Sequence, residues 1–200
     1  TTMNTDTALL LIDFQQGFDR QEYFGGNRNN PRAEENARIL LDYFRQHSLP
    51  VIHTRHNSVF ENSPLRAGQP GNDFIEMLVP LPSEPVIDKS VNSAFIGTNL
   101  DEMLKKRGIR KLFIGGLVTN HCVSTTARMA ANMGYEIVVI ADATATFDQI
   151  GFTGEKFPSE LVHQVSLASL NGEFGAIMTT AEILKKLASQ EPDHEQVTSL

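Results

Sequence analysis

Short, unbroken apolar runs alternate along this chain with longer segments of helical period, and that alternation restricts the fold more than any other feature. Ala8–Asp13 (ALLLID) reads as a strand buried on both faces, since a strand with one wet face would alternate polar and apolar residues. From Pro31 to about His47, Ile39, Leu40, Tyr43 and Phe44 recur at helical spacing. Pro50–His53 begins a second strand and Val86–Asp88 is a brief third. Between them, Asn57 to Pro85 carries five prolines and two glycines, an irregular stretch in which only Phe74–Val79 suggests a turn of helix. Thr98 is placed to cap a helix through Lys106 that stops at Gly108. Lys111–Gly115 and Tyr135–Asp142 are further strands, with a helix starting near His121 between them. Pro158-Ser159 opens a helix to about Leu170, Ala176–Met178 is the last strand, and Thr180 is placed to cap a helix to about Leu187.

Strand then helix, repeated about five times, predicts an α/β fold: a three-layer α/β/α sandwich around a central, mainly parallel sheet. One domain over residues 1–188 is expected, followed by a polar tail over 189–200. A chain of 200 residues is long enough to fill one such core.

Composition removes several function classes. A single cysteine excludes an internal disulfide and a Cys-rich zinc module. Net charge is −7 and no basic stripe runs beyond pairs such as Lys105-Lys106 and Lys185-Lys186, so nucleic acid is not an expected partner. The longest early apolar run, Ala8 to Ile12, falls far short of the ~20 residues that span a bilayer. Neither a membrane nor a secretory signal is indicated, and a cytoplasmic protein is expected.

In parallel α/β sheets, ligands bind beyond the carboxyl ends of the strands. Those ends carry Asp13, then His53 to His56, Lys89, the turn Gly115–Cys122, and Asp142. A lone cysteine is ordinarily a small core residue. Cys122 differs in its setting, the first turn of a helix directly after a strand and a glycine-containing turn. Backbone N–H groups there favour an anion and lower a thiol's pKa. The turn from Leu117 to Cys122 also offers several N–H groups to an oxyanion. If Asp13 and Lys89 converge on Cys122, they add a base and a positive charge.

These residues, with their neighbours Asp13-Phe14-Gln15, Asp88-Lys89-Ser90-Val91-Asn92-Ser93-Ala94-Phe95 and Gly115–Cys122, resemble the isochorismatase-like cysteine hydrolases. That superfamily includes nicotinamidases, N-carbamoylsarcosine amidohydrolase and related ureide amidases, and the likeness runs from about Ala8 to Leu187. The resemblance implies a catalytic triad of Asp13, Lys89 and Cys122, an oxyanion hole from the N–H groups of Val118 and Cys122, and a cis peptide between Leu117 and Val118. It also implies a covalent route through a thioester and a homodimer or homotetramer.

Some relatives bind a metal through an Asp-x-His motif after the second strand. Here that region reads Val51-Ile52-His53-Thr54-Arg55-His56, without the acid, and His53 and His56 point to opposite faces of a strand. No metal and no cofactor are therefore expected. His121 adjoins Cys122, but neighbouring helical residues diverge by about 100°, which favours Asp13 as the base. Candidate pocket residues are Phe18, Phe24, Phe60, Phe95, Phe147 and Phe152, with His56, Asn92 and Gln149 as polar contacts. Aromatic walls with few polar groups suit a small, planar, mostly uncharged amide or ureide. Two other readings stay open: an isochorismate-type vinyl-ether hydrolase, which would not need the cysteine, and a non-catalytic thiol redox sensor or small-molecule binder.

Overall fold

Each apolar run becomes a strand of one parallel sheet, and the helices that follow the runs cover its two faces. The computed structural model describes residues 5–191. In chain order the elements are β1 (Thr7–Ile12), α1 (Gln21–Phe24), α2 (Ala33–Gln46), β2 (Val51–His56), β3 (Val86–Lys89), α3 (Leu100–Lys106) and β4 (Lys111–Leu117). There follow α4 (Ser124–Asn132), β5 (Glu136–Ala145), β6 (Gln149–Ile150), β7 (Lys156–Phe157), α5 (Ser159–Leu170), β8 (Ala176–Met178) and α6 (Thr180–Ala188). The sheet order is β3-β2-β1-β4-β5-β8, with every neighbouring pair parallel.

Every residue of β1 is buried, as its unbroken apolar run requires. Its alternate side chains divide the core. Leu9 and Leu11 pack with Ala37, Leu40 and Phe44 of α2 and Ile183 of α6. Leu10 and Ile12 pack with Leu100 and Leu104 of α3, Ala127 of α4 and Leu167 of α5. Truncating a fully enclosed leucine such as Leu10 to alanine costs about 2–5 kcal/mol. The stripe on α2 is rotated slightly from the expected one, with Leu40, Leu41 and Phe44 buried and Ile39 exposed.

Several boundaries differ for local reasons. Thr179, not Thr180, caps α6, in a capping box with Glu182, while the Thr180 hydroxyl bonds to Asp142 Oδ1. Asp142 therefore lies inside β5 and anchors a helix instead of ending a strand. The β6–β7 hairpin was not foreseen, its strands being two residues each. Of the expected polar tail, residues 192–200 lie outside the described residues.

The chain runs from β1 to β2 and β3 on one side, then crosses to β4, β5 and β8 on the other. This reversal puts the switch point between the carboxyl ends of β1 and β4, where a crevice forms. Close passage there needs glycine: Gly116 has φ 142°, and a Cβ on it would overlap the Ile12 carbonyl.

Candidate active site

Asp13 is the first residue past β1 and turns the chain at φ 54°, a left-handed conformation that aspartate tolerates better than most residues. Its side chain is fully buried. Thr54 of β2 fixes it from the neighbouring strand. The Thr54 hydroxyl donates to Asp13 Oδ1 at 2.6 Å, and the Asp13 N–H in turn reaches Thr54 Oγ1 at 3.2 Å. The other carboxylate oxygen, Oδ2, has the Lys89 ammonium 3.0 Å away but no donor aligned on it as a hydrogen bond.

Lys89 ends β3 and is equally enclosed. Its Nζ lies 3.0 Å from His56 Nδ1 and donates to the Val91 carbonyl at 3.0 Å and to Cys122 Sγ at 3.3 Å. Burial works against the charge, but Asp13 and Cys122 outweigh it and raise the Lys89 pKa. Since an ammonium can only donate, His56 Nδ1 accepts, which leaves the imidazole proton on Nε2. Burial, and then Lys89, lower the His56 pKa, so that ring is neutral at pH 7.

Cys122 sits in a π-helical turn, Thr119–Val123, that leads into α4. The Leu117–Val118 peptide before it is cis. The Val118 carbonyl accepts from the N–H groups of His121 and Val123. Asn92 Nδ2 also addresses Sγ, at 3.6 Å. The helix-terminus argument leads one to expect a depressed thiol pKa. Instead burial, and next the Asp13 carboxylate, push the thiol up to about 12 against the pull of Lys89. The resting state is thus a thiol beside an Asp–Lys ion pair.

Asp13, His56 and Cys122 offer ligand atoms within 4.8 Å of one another, close enough for a metal ion to bridge. The Lys89 ammonium is already among them, in contact with all three residues. A second cation would meet it at contact distance, so the donor set fits Lys89 and not a metal.

A cavity of about 220 Å³ opens over Cys122, with Asp13 and Val118 at its base. Phe18, Tyr23, Phe24, Phe60 and Leu65 form apolar walls; His56, Ser58, Ser63, Asn92 and His121 add polar edges. Of the expected pocket residues, Phe18, Phe24, His56, Phe60 and Asn92 are here and four others are not. Phe147 is a core residue stacked behind Phe24 and Phe18, with ring centroids 5.5 and 6.3 Å away. Phe95 is buried and stacks on Tyr135, within the core cluster that also includes Cys122, and does not line the cavity. Gln149 is taken up in the β6–β7 hairpin, and Phe152 at its tip is fully exposed.

Sequence reasoning missed Tyr23, Ser58, Ser63 and Leu65. Three of these come from the irregular stretch after β2, which two buried amides hold in place. Gln15 Nε2 donates to the His56 and Asn72 carbonyls, and Asn72 Nδ2 donates to the Leu65 carbonyl. The one available signal was Gln15, a polar residue three positions past the apolar β1 run.

Comparison with known proteins gives a consistent picture. A family described as the isochorismatase domain matches residues 7–182. The uncharacterized isochorismatase family protein YrdC of Bacillus subtilis is 39% identical over 91% of this chain and 96% of its own. The crystal structure of an isochorismatase family protein from Chromobacterium violaceum is 41% identical, with TM-score 0.88 over 93% of this chain and 95% of that one. A cysteine hydrolase from Pseudomonas syringae pv. phaseolicola superimposes with TM-score 0.84 at 26% identity, over 96% and 97% of the two chains. More distant relatives, each 29% identical, are Nicotinamidase 3 of Arabidopsis thaliana (90% of this chain, 88% of its own) and the ureidoacrylate amidohydrolase RutB of an Enterobacter (88% and 66%).

Proposed function

The chain belongs to the isochorismatase family of hydrolases, and on that footing we propose that it hydrolyses a small amide or ureide C–N bond through a thioester on Cys122. One observation carries the reading: Lys89 Nζ lies 3.0 Å from Asp13 Oδ2 and 3.3 Å from Cys122 Sγ, all buried beneath one cavity. The names of the nicotinamidase and ureidoacrylate amidohydrolase relatives agree with C–N chemistry.

In this mechanism the substrate carbonyl lies over Sγ. Because the thiol is held protonated, its proton passes to Asp13 Oδ2 as Sγ attacks, and the C–S bond forms. The N–H groups of Val118 and Cys122 hold the oxyanion, each donor contributing about 3 kcal/mol. The tetrahedral intermediate collapses, the C–N bond breaks, and Asp13 returns its proton to the leaving amine. Asp13 then takes a proton from water, which attacks the thioester; the C–S bond breaks and the proton goes back to sulfur. Lys89 stabilises the negative charge that moves between Asp13 and Cys122.

Ether cleavage without the cysteine would leave unexplained why both Lys89 and Asn92 address Sγ. A cytoplasmic location, where thiols stay reduced, and a homodimer or homotetramer go with the reading, the latter tested by the mass in solution.

The decisive experiment is ammonia release from a panel of small amides and ureides, with and without chelator. Release that is lost in Cys122→Ala and indifferent to chelator is expected. Full turnover by that variant would overturn the proposal.

A further inference from the structure

The amide or ureide reading leaves open what charge the substrate carries, and this inference rests on that reading. Among the described residues, no arginine and no lysine line the cavity over Cys122. The one cation beneath it, Lys89, has no exposed surface and is in contact with Asp13, His56, the Val91 carbonyl and Cys122. The one carboxylate, Asp13, is enclosed and paired with Lys89, so their charges cancel. Arg20 reaches over the Tyr23 ring from outside, 6.0 Å from its centroid, but is paired with Glu22 and does not line the cavity.

Besides Cys122 and the Tyr23 phenol, the remaining titratable wall groups are the imidazoles of His56 and His121. Burial, and then Lys89, lower the His56 pKa, and partial desolvation lowers that of His121, a solvent-exposed residue, so both favour the neutral ring at pH 7. His56, with its proton fixed on Nε2 by the Lys89 contact, offers one neutral donor. Ser58, Ser63 and Asn92 add uncharged hydrogen-bonding groups, and Phe18, Tyr23 and Phe24 add aromatic faces.

We propose that this site selects uncharged substrates and rejects carboxylate-bearing ones, isochorismate included. A carboxylate entering this cavity gives up its hydration and finds no counter-charge, a penalty that no neutral donor offsets fully. A cationic substrate fares no better, because Asp13 is already neutralised. The volume of about 220 Å³ lies below the ~300 Å³ at which sites for larger ligands begin, so the substrate is small as well as neutral.

The lone cysteine supplies a test that does not depend on turnover, because any alkylation of the chain's only thiol is alkylation of Cys122. Rates with neutral iodoacetamide and anionic iodoacetate are measured by intact mass at about 0.15 M salt, where long-range steering is screened. The ratio is normalised to that of glutathione. A normalised preference for iodoacetamide of about tenfold or more is expected. Phe60→Arg, which puts a cation on the exposed rim, should move the preference toward iodoacetate. A normalised ratio near one, or one favouring iodoacetate in the unaltered protein, would overturn the proposal.

In the hydrolysis arm, methyl N-carbamoylglycinate should outpace N-carbamoylglycine, and isochorismate should not turn over. Isochorismate turnover counts against both this proposal and the amide reading. A failure to release ammonia from any amide counts against the amide reading alone, since the alkylation ratio still decides the charge preference.

Discussion

Lys89 Nζ lies 3.0 Å from Asp13 Oδ2, and neither side chain reaches solvent. Each charge is tolerable there only because of the other. Removing one partner leaves an uncompensated buried ion, which costs about 3–5 kcal/mol, whereas replacing both is far cheaper. Lys89→Met should therefore lower stability by about that amount in urea unfolding, and Asp13→Asn in the same chain should restore part of it. Activity toward the best amide should fall at least ~10²-fold in either single variant. A Lys89→Met protein as stable as the unaltered one would show that the pair is not coupled.

In the proposed mechanism Thr54 sets which oxygen of Asp13 takes the thiol proton. Its hydroxyl occupies Oδ1 at 2.6 Å and leaves Oδ2 for the thiol proton. Thr54→Val keeps the shape and removes the donor, so the carboxylate is free to rotate and its charge loses a hydrogen bond. We expect kcat to fall about 10–10²-fold with KM little changed, and Thr54→Ser to recover most of the loss. Equal losses in the Val and Ser variants would mean that packing, not the hydroxyl, is what matters.

The sequence makes the positions of Asp13, Lys89 and Cys122 legible because strand ends in a parallel sheet share one edge, and apolar runs mark where strands end. Thr54 is invisible at that level. It looks like any residue of a buried strand, and its role arises from register, with Ile12, just before Asp13, lying opposite it across the β1–β2 pair. The Gln15 amide reaches carbonyls 41 and 57 residues away, a separation with no local pattern. The loop aromatics divide for the same reason. Phe18 and Phe24 face the cavity while Phe147 backs them from the core, and hydrophobicity is equal in all three.

Acid should weaken this fold before it protonates the structural carboxylates. His163 is buried, with Nδ1 2.8 Å from the Thr119 hydroxyl and Nε2 3.1 Å from the Ala141 carbonyl. A carbonyl only accepts, so Nε2 carries the proton and Nδ1 accepts from Thr119, one of the residues of the turn that holds Cys122. Burial lowers the pKa of His163, and likewise that of His53, where Glu84 opposes it. For a base whose folded pKa lies below its unfolded value of ~6.5, the unfolded chain takes up the proton first as pH falls. The stability these rings contribute is complete above that value and is lost as pH falls through their folded values. Glu84, held down to about 2 chiefly by Arg45 against the opposing effect of burial, loses its contribution only below its ordinary range near 4.5. Thermal unfolding should therefore give a lower Tm at pH 5.5 than at pH 7.5. His163→Asn, which removes one of the titrating rings and keeps an oxygen near the Nδ1 position, should narrow that difference. An unchanged gap in the variant would show that His163 takes no part in it.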